Sequence, residues 1–500
     1  MKKTTLLILC ALGLKAHAAP AVAVPKTGEP APTANSAGLV FRAGAHAQDI
    51  SPTQFPAPVN GGMKGGFARG INDPMHARCL ALHDGKRALV FAIVDACLLP
   101  REIAEEAKEI ASRETGLPKT QILVSATHTH SAAALTPAFQ SDPDPEYVKT
   151  VGPNIAKGIV QAFRNLEPAE LGWAFGSDPA HVFNRRWHIK DGEAFENPFG
   201  GTGDRVKMNP GMGNPKVSVP SGPVDQDVAV LAVRSVADKR PIGLLANYSL
   251  HYIGGNPAIS ADYFGAFAAE IAARLHAADT RYNGKPAFVG IMSNGTSGNI
   301  NGVNFGTLPP RNRRDAAENL KTVARVVADT AQDAYDSIQW QAEVTLDSEE
   351  ADLQLGVRKG SSQEVAQARE WLESIPKDKD GQWSNSKAIY ARETVKLADY
   401  PDKVPVKLQM HRINGLSIGA IPCEVFVEIG LHLKKVSPYV RHFTISLANG
   451  YNGYLPTPQH HAWGGYETWR ARSSYLETEA SPKIVAAMEK MFSSLRAREK

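Results

Sequence analysis

A continuous apolar run that stops at an acidic residue occupies Arg87-Ala-Leu-Val-Phe-Ala-Ile-Val-Asp95. Such a run is typical of a strand that is buried on both faces and whose carboxyl end opens on a site. Residues 101–115 follow with apolar positions at helical spacing, and Gly116-Leu117-Pro118 ends that stretch. Gln121-Ile-Leu-Val-Ser125 is the next apolar run. The pattern predicts a strand–helix–strand unit.

The same alternation continues along the chain. Apolar runs of strand length recur at 228–233, 241–248, 347–355 and 406–421. Helical spacing recurs at 262–275, 314–335 and about 475–495. We expect the later runs to return to the same sheet and a charged helical insert around 361–400 to be peripheral. This order predicts an α/β fold, a layered mixed sheet flanked by helices.

The composition excludes several classes of protein. Of 500 residues, 43% are hydrophobic and 21% charged, which is typical of a globular chain and not of a disordered one. The formal charge of +4 includes Lys2, Lys3 and Lys15, which fall in a predicted leader, so the mature chain is nearly neutral. Such a chain has no electrostatic footprint for nucleic acid. Three cysteines outside the leader, far apart, predict no disulfide framework.

The first residues have the pattern of an export signal. Two lysines, an apolar run over 4–14 and a small-residue cleavage pattern at 16–18 predict a signal peptide over 1–18. The run is too short to span a bilayer. Residues 19–38 predict a flexible linker, and 39–497 a single domain. We expect an exported protein, either periplasmic or secreted.

The strongest local signal is Ser125-Ala-Thr-His128-Thr-His130-Ser131 at the end of a predicted strand. In an extended backbone, residues two apart project to one face, so both imidazoles would point the same way. Both would bind one metal ion, or one would bind while the other carries protons. The alternative is a pair of hydrogen-bonded core histidines.

Four further residues are candidates next to this pair. His251 also follows an apolar strand and is either a third nitrogen ligand or structural. Glu424 follows Ile421-Pro422-Cys423 and is either a metal ligand or a salt-bridged helix cap, because an unpaired buried carboxylate is costly. Tyr454 and Tyr466 lie in a Gly- and Pro-rich loop, where tyrosines commonly pack at a pocket rim.

Two polar loops add hydroxyl and guanidinium groups. Ser297 lies in Ser293-Asn-Gly-Thr-Ser-Gly-Asn299, which would present donors to a polarised carbonyl or cradle a phosphate. The lysine of a phosphate-binding loop is missing, which disfavours the phosphate cradle. Phe183-Asn-Arg185-Arg186 places two guanidinium groups in a polar loop, where one of them would clamp a polar head group; the alternative is surface ion pairing.

In their order, these segments resemble the catalytic domain of neutral (non-lysosomal) ceramidases, which are zinc amidases. The similarity begins at Ala43-Gly44 with Asp49-Ile-Ser-Pro52, continues through Ile71-Asn-Asp-Pro-Met-His-Ala77 and reaches the 454–466 loop. Its specific parts are the 125–131 block and the two tyrosines. The resemblance implies the ceramidase catalytic fold, here without the family's C-terminal immunoglobulin-like domain.

The resemblance also implies roles for individual residues. Zn²⁺ would be bound by His128, His251, Glu424 and Tyr454. His130 would transfer protons, Arg185 and Tyr466 would hold or polarise the scissile amide, and Ser297 would match a serine of the family's active-site loop. The implied substrate is a small-molecule or lipid-like N-acyl compound such as ceramide, cleaved by metal-activated water.

Two alternatives remain at this stage. An amidohydrolase-type (β/α)₈ barrel also begins with two histidines at a strand end and would act on another amide or an ester. An exported binding protein on the same fold would bind its ligand without turnover.

Overall fold

The structure is a computed structural model that describes residues 40–254, 256–308 and 315–499. Eight strands form its larger sheet: β1 (Arg42–Asp49), β2 (His76–His83), β3 (Ala88–Val94), β4 (Ile122–Ala126), β5 (Glu167–Ser177), β6 (Asp227–Ser235), β7 (Pro241–Tyr248) and β8 (Val289–Asn294). Their spatial order is β8-β7-β6-β5-β1-β2-β3-β4. The pairs β3–β4 and β7–β8 are parallel, and the other neighbours are antiparallel.

A second sheet contains four strands: β9 (Leu346–Gly356), β10 (Lys403–Ile413), β11 (Leu416–Ala420) and β12 (Arg441–Ile445). The sequence predicted that the runs 347–355 and 406–421, which lie in β9, β10 and β11, return to the first sheet, and this was wrong. Inner side chains of the second sheet, such as Ile418 and Phe443, instead share one buried cluster with Phe91 and Leu231 of the larger sheet. The two sheets therefore pack face to face, because each has an apolar face to bury.

Helices cover the outer faces of both sheets. Those in the described part of the chain are α1 (Arg101–Thr115), α2 (Pro145–Arg164), α3 (Asp262–Arg274), α4 (Ala316–Asp336), α5 (Ser362–Ser374), α6 (Ser386–Ala398), α7 (Val427–Val436), α8 (Pro458–Trp463) and α9 (Ala480–Ala497). The first four pack on the larger sheet, and α7 and α9 pack on the smaller one. The predicted layered mixed sheet flanked by helices is confirmed. The (β/α)₈ barrel is wrong, since most neighbouring strands are antiparallel.

The ends of strands from both sheets meet at one place. The chain leaving β12 bonds to both edge strands of the larger sheet: Ser446 N–H donates to the Asn294 carbonyl (3.0 Å), and Ala126 N–H donates to the Leu447 carbonyl (3.1 Å). The Asn294 side-chain amide also donates to the Thr127 carbonyl (3.0 Å). These bonds bring the loops after β4, β8 and β12 together. Gly295 N–H donates to the Tyr248 carbonyl (2.9 Å) and Leu447 N–H to the Cys423 carbonyl (3.0 Å), which adds the loops after β7 and β11.

Small paired strands complete the described structure. They are Ala57–Val59 with Gly66–Ala68, Phe183–Asn184 with Ile300–Asn301, Arg186–Ile189 with Val206–Met208 and Val217–Pro220, and Glu424–Val425 with Tyr454–Leu455. In the residues described, no helix is both long and apolar enough to cross a bilayer. The predicted signal peptide (1–18) and linker (19–38) lie outside the described residues.

Candidate functional site

The strand ends open into a cavity of about 210 Å³. Seven of the eight candidate residues from the sequence line it: Arg185, His128, His130, His251, Glu424, Tyr454 and Tyr466. The eighth, Ser297, does not line it. Side chains that come from widely separated parts of the chain therefore surround one small space.

Backbone carbonyls fix the orientation of two imidazoles in this cavity. The Nδ1 atom of His128 lies 2.7 Å from the Cys97 carbonyl, and the Nδ1 atom of His251 lies 3.0 Å from the Ser297 carbonyl. A carbonyl only accepts, so each Nδ1 carries the hydrogen and each neutral ring presents a lone pair at Nε2. The two Nε2 atoms are 3.0 Å apart. Facing lone pairs repel at this distance unless a cation or a proton lies between them.

The carboxylate of Glu424 completes a triangle with these nitrogens. Its Oε2 atom lies 3.2 Å from Nε2 of His128 and 3.8 Å from Nε2 of His251. This oxygen is buried and makes no well-aligned hydrogen bond within the described residues. A point equidistant from the three atoms lies about 2 Å from each, which is the length of a Zn–N or Zn–O bond. The three residues therefore fit a zinc ion.

Tyr454 and Arg185 form the next side of the site. The short strands Glu424–Val425 and Tyr454–Leu455 pair in parallel, and Glu424 lies opposite Tyr454. Their side chains are therefore neighbours. Arg185 Nη2 donates to the Tyr454 hydroxyl (3.1 Å) and to the Gly298 carbonyl (2.8 Å), and its Nη1 lies 3.4 Å from Nε2 of His251. Burial and the Glu424 carboxylate raise the pKa of Tyr454 well above its usual value. A nearby divalent cation would oppose that shift.

The charges around the triangle favour one cation. Burial opposes protonation of His128, but the Glu424 carboxylate and the Cys97 thiol raise its pKa to about 10. Burial, together with the charges of Arg185 and His128, lowers the pKa of His251 well below its usual value. Although burial raises the pKa of Glu424, the neighbouring His128 lowers it overall. The triangle of His128, His251 and Glu424 thus binds one proton, which a divalent metal ion would replace.

His130 faces the same space from the opposite side. Its Nε2 atom lies 3.3 Å from Nε2 of His128, and its ring stacks on Tyr252 with centroids 3.7 Å apart. The extended backbone predicted for this pair is wrong: His128 has a φ of 74°, in the left-handed region, so the chain turns there. Strained backbone of this kind clusters at functional sites. Burial and the charge of His128 lower the pKa of His130 well below its usual value, which keeps it neutral.

Comparison with known proteins identifies the architecture. No family model and no curated protein matches the chain. The neutral ceramidase from Pseudomonas aeruginosa superposes with a TM-score of 0.66 at 16% identity, over 92% of this chain and 75% of that chain. A ceramidase complexed with C2 superposes with a TM-score of 0.65 at 16% identity, over 92% and 76%. The chain has the neutral ceramidase fold. The family resemblance predicted from the sequence is thereby confirmed for the fold.

Ser297 contributes to the site through its backbone carbonyl, which accepts the hydrogen bond from Nδ1 of His251. Its hydroxyl donates to Asn294 Oδ1 (2.7 Å) and so points away from the cavity. The adjacent Gly298 allows the loop to approach closely, because a Cβ there would lie 2.4 Å from the Glu424 carbonyl oxygen. The loop therefore positions two proposed metal ligands instead of presenting a hydroxyl to a substrate.

Sequence reasoning missed three residues that support the site. Tyr451 donates its hydroxyl to Glu424 Oε1 (2.9 Å). Glu467, fully buried, accepts from Arg185 Nε (3.0 Å) and Arg186 Nη1 (2.5 Å). Tyr252 stacks on His130. Each lies within three positions of a residue that was singled out, but only the folded chain shows which side chains meet.

Proposed function

We propose that this chain is an exported zinc-dependent hydrolase that cleaves the amide bond of an N-acylated substrate. The observation that carries this proposal is the pair of Nε2 atoms held 3.0 Å apart beside the buried carboxylate of Glu424. His128, His251, Glu424 and Tyr454 would hold the metal. A bound zinc ion supplies Lewis acidity, which lowers the pKa of water and polarises a carbonyl. Export rests on the leader pattern of residues 1–18.

His130 is the proposed proton carrier. It is neutral in the folded protein, it faces the metal ligands, and stacking on Tyr252 holds its ring in place. A neutral imidazole at this position would accept a proton from the attacking water. The same nitrogen would then donate that proton to the departing amine, which has to leave as a neutral molecule.

Tyr466 and Arg185 would bind the amide. Burial raises the pKa of the Tyr466 hydroxyl, so it remains a hydrogen-bond donor at neutral pH. A donor that faces the cavity would stabilise negative charge as it develops on the carbonyl oxygen. Burial lowers the pKa of Arg185, but Tyr454 and Glu467 raise it by more. The guanidinium therefore stays positive beside the cavity.

The substrate class follows from the fold and from the cavity. The two solved structures named above are ceramidases, and a ceramide-like N-acyl lipid is accordingly the favoured substrate. The apolar side chains in the cavity, which include Met63, Leu98 and Phe139, suit the hydrocarbon part of such a compound.

Metal analysis of the purified protein, paired with an N-acyl substrate panel, tests the proposal. We expect zinc in the wild type, loss of zinc and activity in His128→Ala and His251→Ala, and loss of activity with zinc retained in His130→Ala. Full zinc content and turnover in His128→Ala would contradict the ligand assignment. Loss of zinc in His130→Ala would make that residue a ligand.

The panel also separates the alternatives. It should contain N-acyl lipids, N-acyl sugars, N-acyl amino acids and matched esters. Hydrolysis of the esters but not the amides would mean that the protein is another kind of metal hydrolase and not an amidase. A zinc-loaded protein that binds these compounds and cleaves none would be a binding protein.

A further inference from the structure

One buried wall of the cavity is formed by a residue in a strained conformation. Phe139 lines the cavity and is 7% exposed. Its φ is 44°, in the left-handed region that a residue with a bulky side chain rarely adopts. Such a conformation persists only where the surroundings fix it, so the contacts of Phe139 show what shapes this wall.

Two arginines hold the backbone of Phe139. Its carbonyl accepts hydrogen bonds from Arg472 Nη2 (2.9 Å) and from Arg392. Arg472 is itself paired through two hydrogen bonds, of 2.8 and 2.7 Å, with Glu393, which is 1% exposed. The buried bidentate pair fixes the guanidinium, which in turn fixes the carbonyl.

The ring of Phe139 is backed by the same helix. Tyr390 lies edge-on to it, with ring centroids 5.9 Å apart, and is almost fully buried. Tyr390, Arg392 and Glu393 all belong to α6, the second helix of the insert. The insert is therefore not peripheral to the site, because it supports the wall from behind.

The insert also holds another side of the cavity. Gln382 exchanges two hydrogen bonds with the backbone of Gly65, of 2.9 and 3.1 Å. Gln140 bonds in a similar way to the backbone of Trp383 and also donates to the Met63 carbonyl (3.1 Å). Because Met63 lines the cavity, the loop between α5 and α6 fixes this side as well.

We propose that Phe139, held in place by α6, closes the apolar end of the cavity and limits the length of the acyl group that the substrate carries. This inference rests on the proposed amidase function. Ala138 and Phe139 are adjacent in the chain, both line the cavity and neither offers a polar side-chain atom, so this end suits hydrocarbon. A volume of about 210 Å³ is below the roughly 300–1,000 Å³ of common ligand pockets, so removal of the Phe139 ring would enlarge the available space substantially.

The test measures kcat/KM for acyl chains of increasing length on one amine. In Phe139→Ala, the ratio of kcat/KM for long over short chains should rise about tenfold or more, with zinc content unchanged. Phe139→Leu should raise this ratio by less, because it keeps part of the side chain. It replaces the alanine variant in the test if that variant does not fold. The matched control is Phe199→Ala, because Phe199 contacts the same Tyr390 ring (5.7 Å) without lining the cavity. Its chain-length profile should equal that of the wild type.

Glu393→Gln tests the positioning role of α6. It should broaden the chain-length profile without loss of zinc, whereas Glu393→Asp should restore much of the selectivity. Folded, zinc-loaded Phe139 variants with the wild-type profile would overturn the inference. If the wild type hydrolyses no acyl length, the proposed function fails first. Fatty-acid binding by calorimetry then tests the wall, and Phe139→Ala should tighten binding only of longer chains.

Discussion

Zinc binding by the chelator-stripped protein should tighten about tenfold for each pH unit between about pH 7 and about pH 9. Burial opposes protonation of His128, but Glu424 and Cys97 raise its pKa to about 10. The metal-free protein therefore carries a proton on a ligand nitrogen at neutral pH, and zinc has to displace it. Because pH 7 lies about three units below this pKa, competition with the proton weakens zinc binding at pH 7 by about 4 kcal/mol.

The two histidines and Glu424 together should release one proton and not two when zinc binds. The pKa of His251 is lowered by burial and by neighbouring positive charge, and that of Glu424 is lowered by His128 despite burial. Both are thus deprotonated across the range. Among these three ligands only His128 changes its protonation state, and its contribution to the pH dependence ends above about pH 10.

Competition with a chelator of known affinity gives the dissociation constant, and calorimetry in two buffers gives the proton count. Glu424→Gln is the informative variant, because removal of the carboxylate removes what holds the proton on His128. Its slope should flatten above about pH 7, the usual range of an imidazole. A wild-type affinity that is constant from pH 7 to pH 9 would refute this account of the charges, as would release of a second proton that persists in Tyr454→Phe.

Four further substitutions have distinct expected outcomes. Glu467→Gln leaves two buried guanidinium groups without their anion, so the free energy of unfolding should fall by about 3–5 kcal/mol, measured by calorimetric or denaturant unfolding. Gly298→Ala places a Cβ 2.4 Å from a ligand residue's carbonyl and should lose zinc, whereas Gly70→Ala, in open space, should keep it. Tyr451→Phe removes the 2.9 Å bond to the ligand carboxylate and should lower zinc affinity about 10–100-fold in a chelator titration. Ser297→Ala should retain zinc by metal analysis, because the site uses its carbonyl and not its hydroxyl.

The sequence was sufficient for elements whose pattern is local. The run ending at Asp95 is a buried strand, Ala88–Val94, and the helical spacing that follows is the helix Arg101–Thr115. The pattern of polar residues after apolar strands pointed to His128 and His251, because a strand end is also where a loop can bring a side chain into a cavity. Asp95 itself is different: it pairs with Arg78 in the interior and does not line the cavity.

What the sequence did not predict depends on long-range contacts. The residues of β9–β12 have the same apolar pattern whether they extend one sheet or form a second, and only the shared core decides between the two. The role of Phe139 depends on Arg472 and Arg392, which are distant in the chain. The charged insert has the composition of a solvated surface element, although one face of it supports the cavity.

The orientation of the proposed metal ligands depends on backbone atoms, which explains why it is invisible in a sequence. His128 and His251 each donate Nδ1–H to a carbonyl, those of Cys97 and Ser297, and a carbonyl is present whatever the side chain. What has to be preserved is therefore the path of two loops, and the hydrogen bonds between Asn294, Thr127 and the chain after β12 fix those paths. The proposed metal ligands and the proposed acyl wall therefore share the strand-end loops, since Phe139 follows His128 and His130 in the loop after β4, but only the wall is supported from behind by α6. A change in α6 would then alter which substrates are accepted while the metal centre stays intact.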